Sequence, residues 1–244
     1  GVDDVIDLLK SDVFYKEGDG RIIVSPGVVE MAGVLVTPME TDFERLDAAT
    51  VESIYREVSL DNSPFLSNTV SSGLGGGIYL NSSATAISLN GSTFVNNYAG
   101  GPGGGLYLSS ASALTLTNSP FVSNTSTSMG GGIYVGGGSG GAVSLASSPF
   151  LSNTASNGPG GGIFLSSSAA TIRLIDSMFV NNLASAGSGG GLFINTLNGP
   201  FLASNSAFER NQAGNGNGGA IIINSGTGGL MSLINSVVQE NHAS

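Results

Sequence analysis

The acidic, basic and imidazole side chains of residues 61–244 are Asp61, Asp176, Glu209, Glu240, Arg173, Arg210 and His242. General acid–base chemistry needs two such groups converging on one reacting bond. His242, the single histidine, stands two residues from the end and reads as a solvated tail residue, so no Ser–His nucleophile can be built. The chain has no cysteine, which removes disulfides and thiolate metal sites. Glycine is abundant, at 39 of 244 residues, yet no lysine follows Lys16, so no glycine-rich loop ends in the Lys-Ser or Lys-Thr of a phosphate cradle. Arg210 and Glu240 hold equivalent places in successive repeats, and an exposed ion pair is their ordinary reading.

Charge is uneven along the chain. Residues 1–60 hold 13 of the 17 acids and 5 of the 7 basic residues. An acidic balance excludes nucleic acid, whose binding depends on Lys and Arg displacing counterions, and disfavours an anionic membrane surface. No apolar run reaches the ~18 residues of a membrane helix. The best candidate, Ile22 to Val36, is interrupted by Ser25, Pro26, Gly27 and Glu30. Direct membrane insertion is therefore not expected. The chain opens on Gly1 rather than Met, which predicts a processed chain or a fragment. The nearly uncharged remainder must be wetted by Ser, Thr and Asn, by glycans, or by burial in an assembly.

The weakly charged part is a repeat. Phe65, Phe94, Phe121, Phe150, Phe179 and Phe208 are each followed three residues later by Asn68, Asn97, Asn124, Asn153, Asn182 and Asn211, with Val238 and Asn241 as a degenerate seventh copy. The Asn spacings are 29, 27, 29, 29, 29 and 30 residues, the mark of a solenoid. Seven and five residues before each Phe lie apolar pairs such as Ile87/Leu89 and Val143/Leu145, whose period of two puts both on one face of a strand. Twelve or thirteen residues after each Phe, behind glycines, come Ile78, Leu106, Ile133, Ile163, Leu192 and Ile221, again with an apolar residue two places on. Three short strands per repeat are expected, in an all-β parallel β-helix over 58–244 with coils of about 29 residues. A coil this long fits the right-handed, three-faced type, although sequence leaves the hand open. Stacking puts the Phe residues into an interior column and the Asn residues into a column at a turn. There the Asn backbone is expected to be left-handed and the amide to bond the next Asn.

The block Gly-Gly-(Gly/Ala)-(Ile/Leu) paired with Phe-x-x-Asn resembles the repeats of the chlamydial polymorphic outer-membrane protein family, over about 62–241. Gly218-Gly219-Ala220-Ile221 is the closest match. A third glycine replaces the alanine at the five other sites, and the autotransporter barrel of that family is not among these 244 residues. The resemblance implies surface display and adhesion. Polysaccharide lyases and galacturonases share the expected architecture, but they cluster carboxylates and bases on one outer face. Here Asp61, Asp176 and Glu209 fall at different phases of different coils, so no catalytic pair forms. The repeats also lack the Asp of Ca²⁺-binding nonapeptides. No cofactor is expected.

Residues 1–57 read as an acidic cap or docking segment, with a short helix at 2–10, an irregular first coil at 22–36 and an acidic loop around 37–50. A cap would cover one open end of the solenoid. After Asn241 no capping sequence follows, which predicts either a longer chain or an end-to-end homopolymer. Tyr79, Tyr107, Tyr134, Phe164 and Phe193 lie between inward residues of the glycine-led strands and are expected to point outward as a contact ladder, for a protein partner or for glycan. Asn81, Asn90 and Asn124 match the N-glycosylation pattern. The expected function is a non-enzymatic extracellular or cell-surface structural protein, a fibre or surface-layer subunit. A surface adhesin is the alternative, and a polysaccharide-active enzyme the weakest reading.

Overall fold

The computed structural model describes residues 57–81, 86–109, 113–137, 141–227 and 229–244. The helix expected at 2–10, the coil at 22–36 and the cap they form lie outside the described residues. Within them the fold is all-β, without a helix: a β-solenoid of about six turns in which every ladder is parallel.

One coil shows the plan. Ala113–Thr117 makes the first strand, Phe121–Val122 the second, Thr125–Ser126 the third and Ile133–Val135 the fourth. The chain then advances by one strand spacing and repeats, giving three sheets of seven strands and one of six. Registers are held residue for residue, apart from one shift between Leu165 and Ser168: Leu114 pairs Val143, Phe121 pairs Phe150, Thr125 pairs Thr154, and Ile133 pairs Ile163. The coil thus has four faces where the sequence suggests three. The additional strand has two residues, and it forms because the buried Asn ahead of it fixes the chain's direction into the next ladder.

Three of the four corners are left-handed. One column is Asn62, Gly91, Asn118, Ser147, Asp176, Asn205 and Asn235; a second is Ser67, Asn96, Ser123, Ser152, Asn181, Arg210 and Glu240; the third is all glycine and includes Gly103 at φ 74°. Coils differ in length at the fourth corner and, by one residue, ahead of the glycine corner. The second column corrects the expectation for Asn. The left-handed residue is the one before each ladder Asn, with its side chain on the outer side of the corner, while the Asn itself turns inward.

The core is columnar. The apolar pairs of the long strands and of the glycine-led strands are buried from Ile87 through Ala203. Their burial contributes about 1.5–3 kcal/mol per large side chain, before conformational entropy is set against it. The last glycine of each Gly-Gly-Gly block is closed in by the next coil: a Cβ on Gly105 would stand 2.8 Å from Gly132 O and 3.0 Å from Phe121 Cδ1, and one on Gly132 2.6 Å from Gly162 O and 3.1 Å from Phe150 Cδ1. Alanine occupies this place only at Ala220, the coil whose successor carries Val238 instead of Phe.

Candidate functional site

Among the described residues the charged groups meet only around Arg210. Arg210 reaches Glu209 and Glu240, each at 3.3 Å, and its Nε donates to Asn181 Oδ1 at 3.2 Å. All of this is at the outer surface, where such pairs contribute about 0–1 kcal/mol. His242 lies in an edge strand paired with Gln212. Among the described residues no three His, Cys, Asp or Glu side chains come together as a metal site.

The repeated residues do converge, as axial ladders. Phe65, Phe94, Phe121, Phe150, Phe179 and Phe208 form one continuous stack with centroids 4.4–5.0 Å apart and planes within 12°. Beside it run the asparagines. In each step the backbone N–H and the Nδ2 of one Asn donate to Oδ1 of the next, while the second Nδ2 hydrogen donates to the Phe carbonyl of the coil before. For Asn153 these distances are 3.0 Å and 3.0 Å to Asn182 Oδ1 and 2.9 Å to Phe121 O. The ladder runs unbroken from Asn68 through Asn97, Asn124, Asn153, Asn182 and Asn211 to Asn241.

A second buried polar ladder is absent from the sequence reading. Ser63, Ser92, Ser119, Ser148, Ser177, Ser206 and Ser236 each stand two residues before the core aromatic or its Val238 equivalent. The backbone N–H of each donates to Oγ of the next, as from Ser119 to Ser148 at 3.1 Å, and from Ser119 onward each hydroxyl donates to the carbonyl two residues earlier in its own strand. No buried side-chain nitrogen or oxygen among the described residues lacks a partner. Identity of the Ser in all seven copies is the signal that reveals this column.

The outer column is stacked too. Tyr79–Tyr107, Tyr107–Tyr134, Tyr134–Phe164 and Phe164–Phe193 have centroids 5.2, 4.8, 5.3 and 5.1 Å apart. Exposure along it is not uniform. Tyr79 is 45 % exposed, Tyr107, Tyr134 and Phe193 are half-buried, and Phe164 is 7 % exposed. The column expected to point outward is thus covered at Phe164. Mutual stacking also occupies the ring faces that a sugar would need, leaving edges and hydroxyls outermost. Burial, then the neighbouring Tyr134 and Tyr79 phenols, raise the Tyr107 phenol above its ordinary value, so it stays protonated at neutral pH.

Of the three acceptor asparagines, Asn81 and Asn90 are exposed. Asn124 is fully buried, with its amide bonded to Phe94 O and Asn153 Oδ1, and a glycan on it is incompatible with the fold. This removes Asn124 from the candidates. No family model matches the chain, and neither a curated protein nor a solved structure matches it.

Proposed function

We propose that this chain is a non-enzymatic structural protein of an extracellular or cell-surface assembly, a fibre or surface-layer subunit whose β-solenoid grows by end-to-end stacking. The observation that carries the reading is the set of axial ladders: coil after coil repeats the same Phe stack, from Phe65 to Phe208, and the same Asn ladder, from Asn68 to Asn241, in register with its neighbours. A pattern that pairs each coil with the next in this way can be extended by a coil of a second copy.

The sparse charge supports the same reading. An outer surface wetted by Ser, Thr and Asn, with Asn81 and Asn90 open to glycans, suits a molecule that works by packing rather than by turnover. The second reading is a surface adhesin. It is favoured by Tyr79, whose exposed ring heads the outer column, and by the resemblance to the polymorphic outer-membrane protein repeats. Electron microscopy of the purified chain separates the two. Long filaments with an axial repeat near one rod length support stacking. Short isolated rods that bind cells or glycans refute it in favour of the adhesin, and turnover of a polysaccharide refutes both.

A further inference from the structure

Tyr79, Tyr107 and Tyr134 are three consecutive phenols on one outer line of the rod. Each stands between two inward-facing residues, as Tyr107 does between the buried Leu106 and Leu108, so its ring points away from the core. The line is chemically uniform over three coils and continues as Phe164 and Phe193, which cannot form a phenoxyl radical.

We propose that this line is an oxidative cross-linking strip, at which Tyr79 of one rod is joined covalently, as dityrosine, to the tyrosine strip of a second copy lying alongside. The inference is independent of end-to-end stacking, since it ties rods side to side.

Three features of the geometry support it. First, Tyr79 is the most exposed ring of the column, and its strand Ile78–Leu80 is the outermost of its sheet among the described residues. Second, Tyr107 and Tyr134 stack at 4.8 Å with planes 3° apart, and Tyr79 follows at 5.2 Å. A radical formed on either inner phenol exchanges an electron and a proton with an identical neighbour, with little change in free energy, and so reaches Tyr79. Third, coupling between the two inner phenols is blocked. A bond between two ortho carbons sets the rings edge to edge, whereas Tyr107 and Tyr134 lie face to face, 3° from parallel. A radical on either therefore does not couple to the other and passes on to Tyr79, whose ring is tilted 31° from that of Tyr107.

The reaction balances with one named co-reactant, a peroxidase-type one-electron oxidant driven by hydrogen peroxide. Each of two phenols gives up one electron to the oxidant and its hydroxyl proton to solvent. The two phenoxyl radicals form one carbon–carbon bond between ortho positions. The two ortho hydrogens then move to the phenolic oxygens as the rings regain aromaticity. Two tyrosines and one peroxide thus become one dityrosine and two waters.

The test treats the purified chain with a peroxidase and hydrogen peroxide, then follows dityrosine fluorescence, covalent oligomers and the cross-linked peptides by mass spectrometry. The expected result is covalent dimers and higher species whose links map to Tyr79 paired with Tyr79, Tyr107 or Tyr134 of another chain. Tyr79→Phe keeps the stacked ring and should lower the yield several-fold, and the triple change of Tyr79, Tyr107 and Tyr134 to Phe should abolish these links. Links that map instead to Tyr15, Tyr55 or Tyr98 overturn the proposal, as does a triple variant that cross-links like the parent. Intramolecular links within the strip, or an oxidised chain that stays monomeric, also overturn it. Filaments persisting under the microscope while cross-linking fails would remove this inference and leave the structural reading standing.

Discussion

Replacing Asn153 with alanine opens the middle of the Asn ladder. Its Oδ1 accepts the backbone N–H and the Nδ2 of Asn124, each at 3.0 Å, and its Nδ2 serves Phe121 O at 2.9 Å and Asn182 Oδ1 at 3.0 Å. Asn124 and Asn153 are fully buried, so water does not replace what is lost. Two donors on Asn124 are left without partners. At about 1–3 kcal/mol for each buried group left unpaired, the loss is about 2–6 kcal/mol. A typical domain has only about 5–15 kcal/mol in total. Asn68 gives an internal control. It is part-exposed and also bonds the next Asn, but solvent reaches the break, so Asn68→Ala should cost about 0.5–1.5 kcal/mol. Urea unfolding followed by far-ultraviolet circular dichroism measures both. An Asn153→Ala loss no larger than that of Asn68→Ala would refute the argument that the ladder is a buried, all-or-none polar network.

Asn153→Asp tests the same site by pH. A carboxylate there faces the acceptors Phe121 O and Asn182 Oδ1 in a buried place, so its folded pKa should lie above the unfolded value of about 3.9. The folded state then holds more protons than the unfolded one. The variant should be most stable below about pH 4 and lose stability as pH rises toward the folded pKa; a pH-independent difference from the parent contradicts this. Phe150→Ala, which removes a buried ring stacked on both faces, should cost about 3–5 kcal/mol by the same unfolding assay. Gly132→Ala should cost about 1–3 kcal/mol by pressing a methyl on the backbone carbonyl of Gly162 and on the Phe150 ring. A Gly132→Ala, Phe150→Val double variant, which copies the natural pairing of Ala220 with Val238, should lose less than the sum of the two single changes. Arg210 holds φ 51° for an exposed ion pair of about 0–1 kcal/mol, while a left-handed backbone costs a long side chain roughly 1–2 kcal/mol. Arg210→Asn should therefore leave the chain unchanged or stabilise it in thermal unfolding.

The columns are legible in sequence because in-register parallel stacking puts equivalent residues in equivalent surroundings. Phe121 meets Phe94 and Phe150, and selection for one environment repeats one residue type. What escapes such reading has physical reasons. The strands Thr125–Ser126 and Leu183–Ala184 are two residues long, too short to show a period of two, so a fourth face goes unseen. The Ser column is hidden by composition, since Ser is common everywhere else in the chain. The left-handed corner carries Ser, Asn, Arg and Glu in turn, and no shared chemistry marks it. Conversely, Asn residues attract the left-handed assignment because they tolerate that backbone, although here their amides serve the interior. The burial of Phe164 depends on packing beyond its own strand, which an alternation pattern cannot report.

The stacking account is tested most directly by X-ray fibre diffraction from aligned, purified material. If rods join end to end in register, strands lie across the fibre, and the reflection near 4.8 Å falls on the meridian. The same reflection on the equator, or a preparation that yields no orientable fibres, would contradict the claim that the coils of one chain continue in register into those of the next.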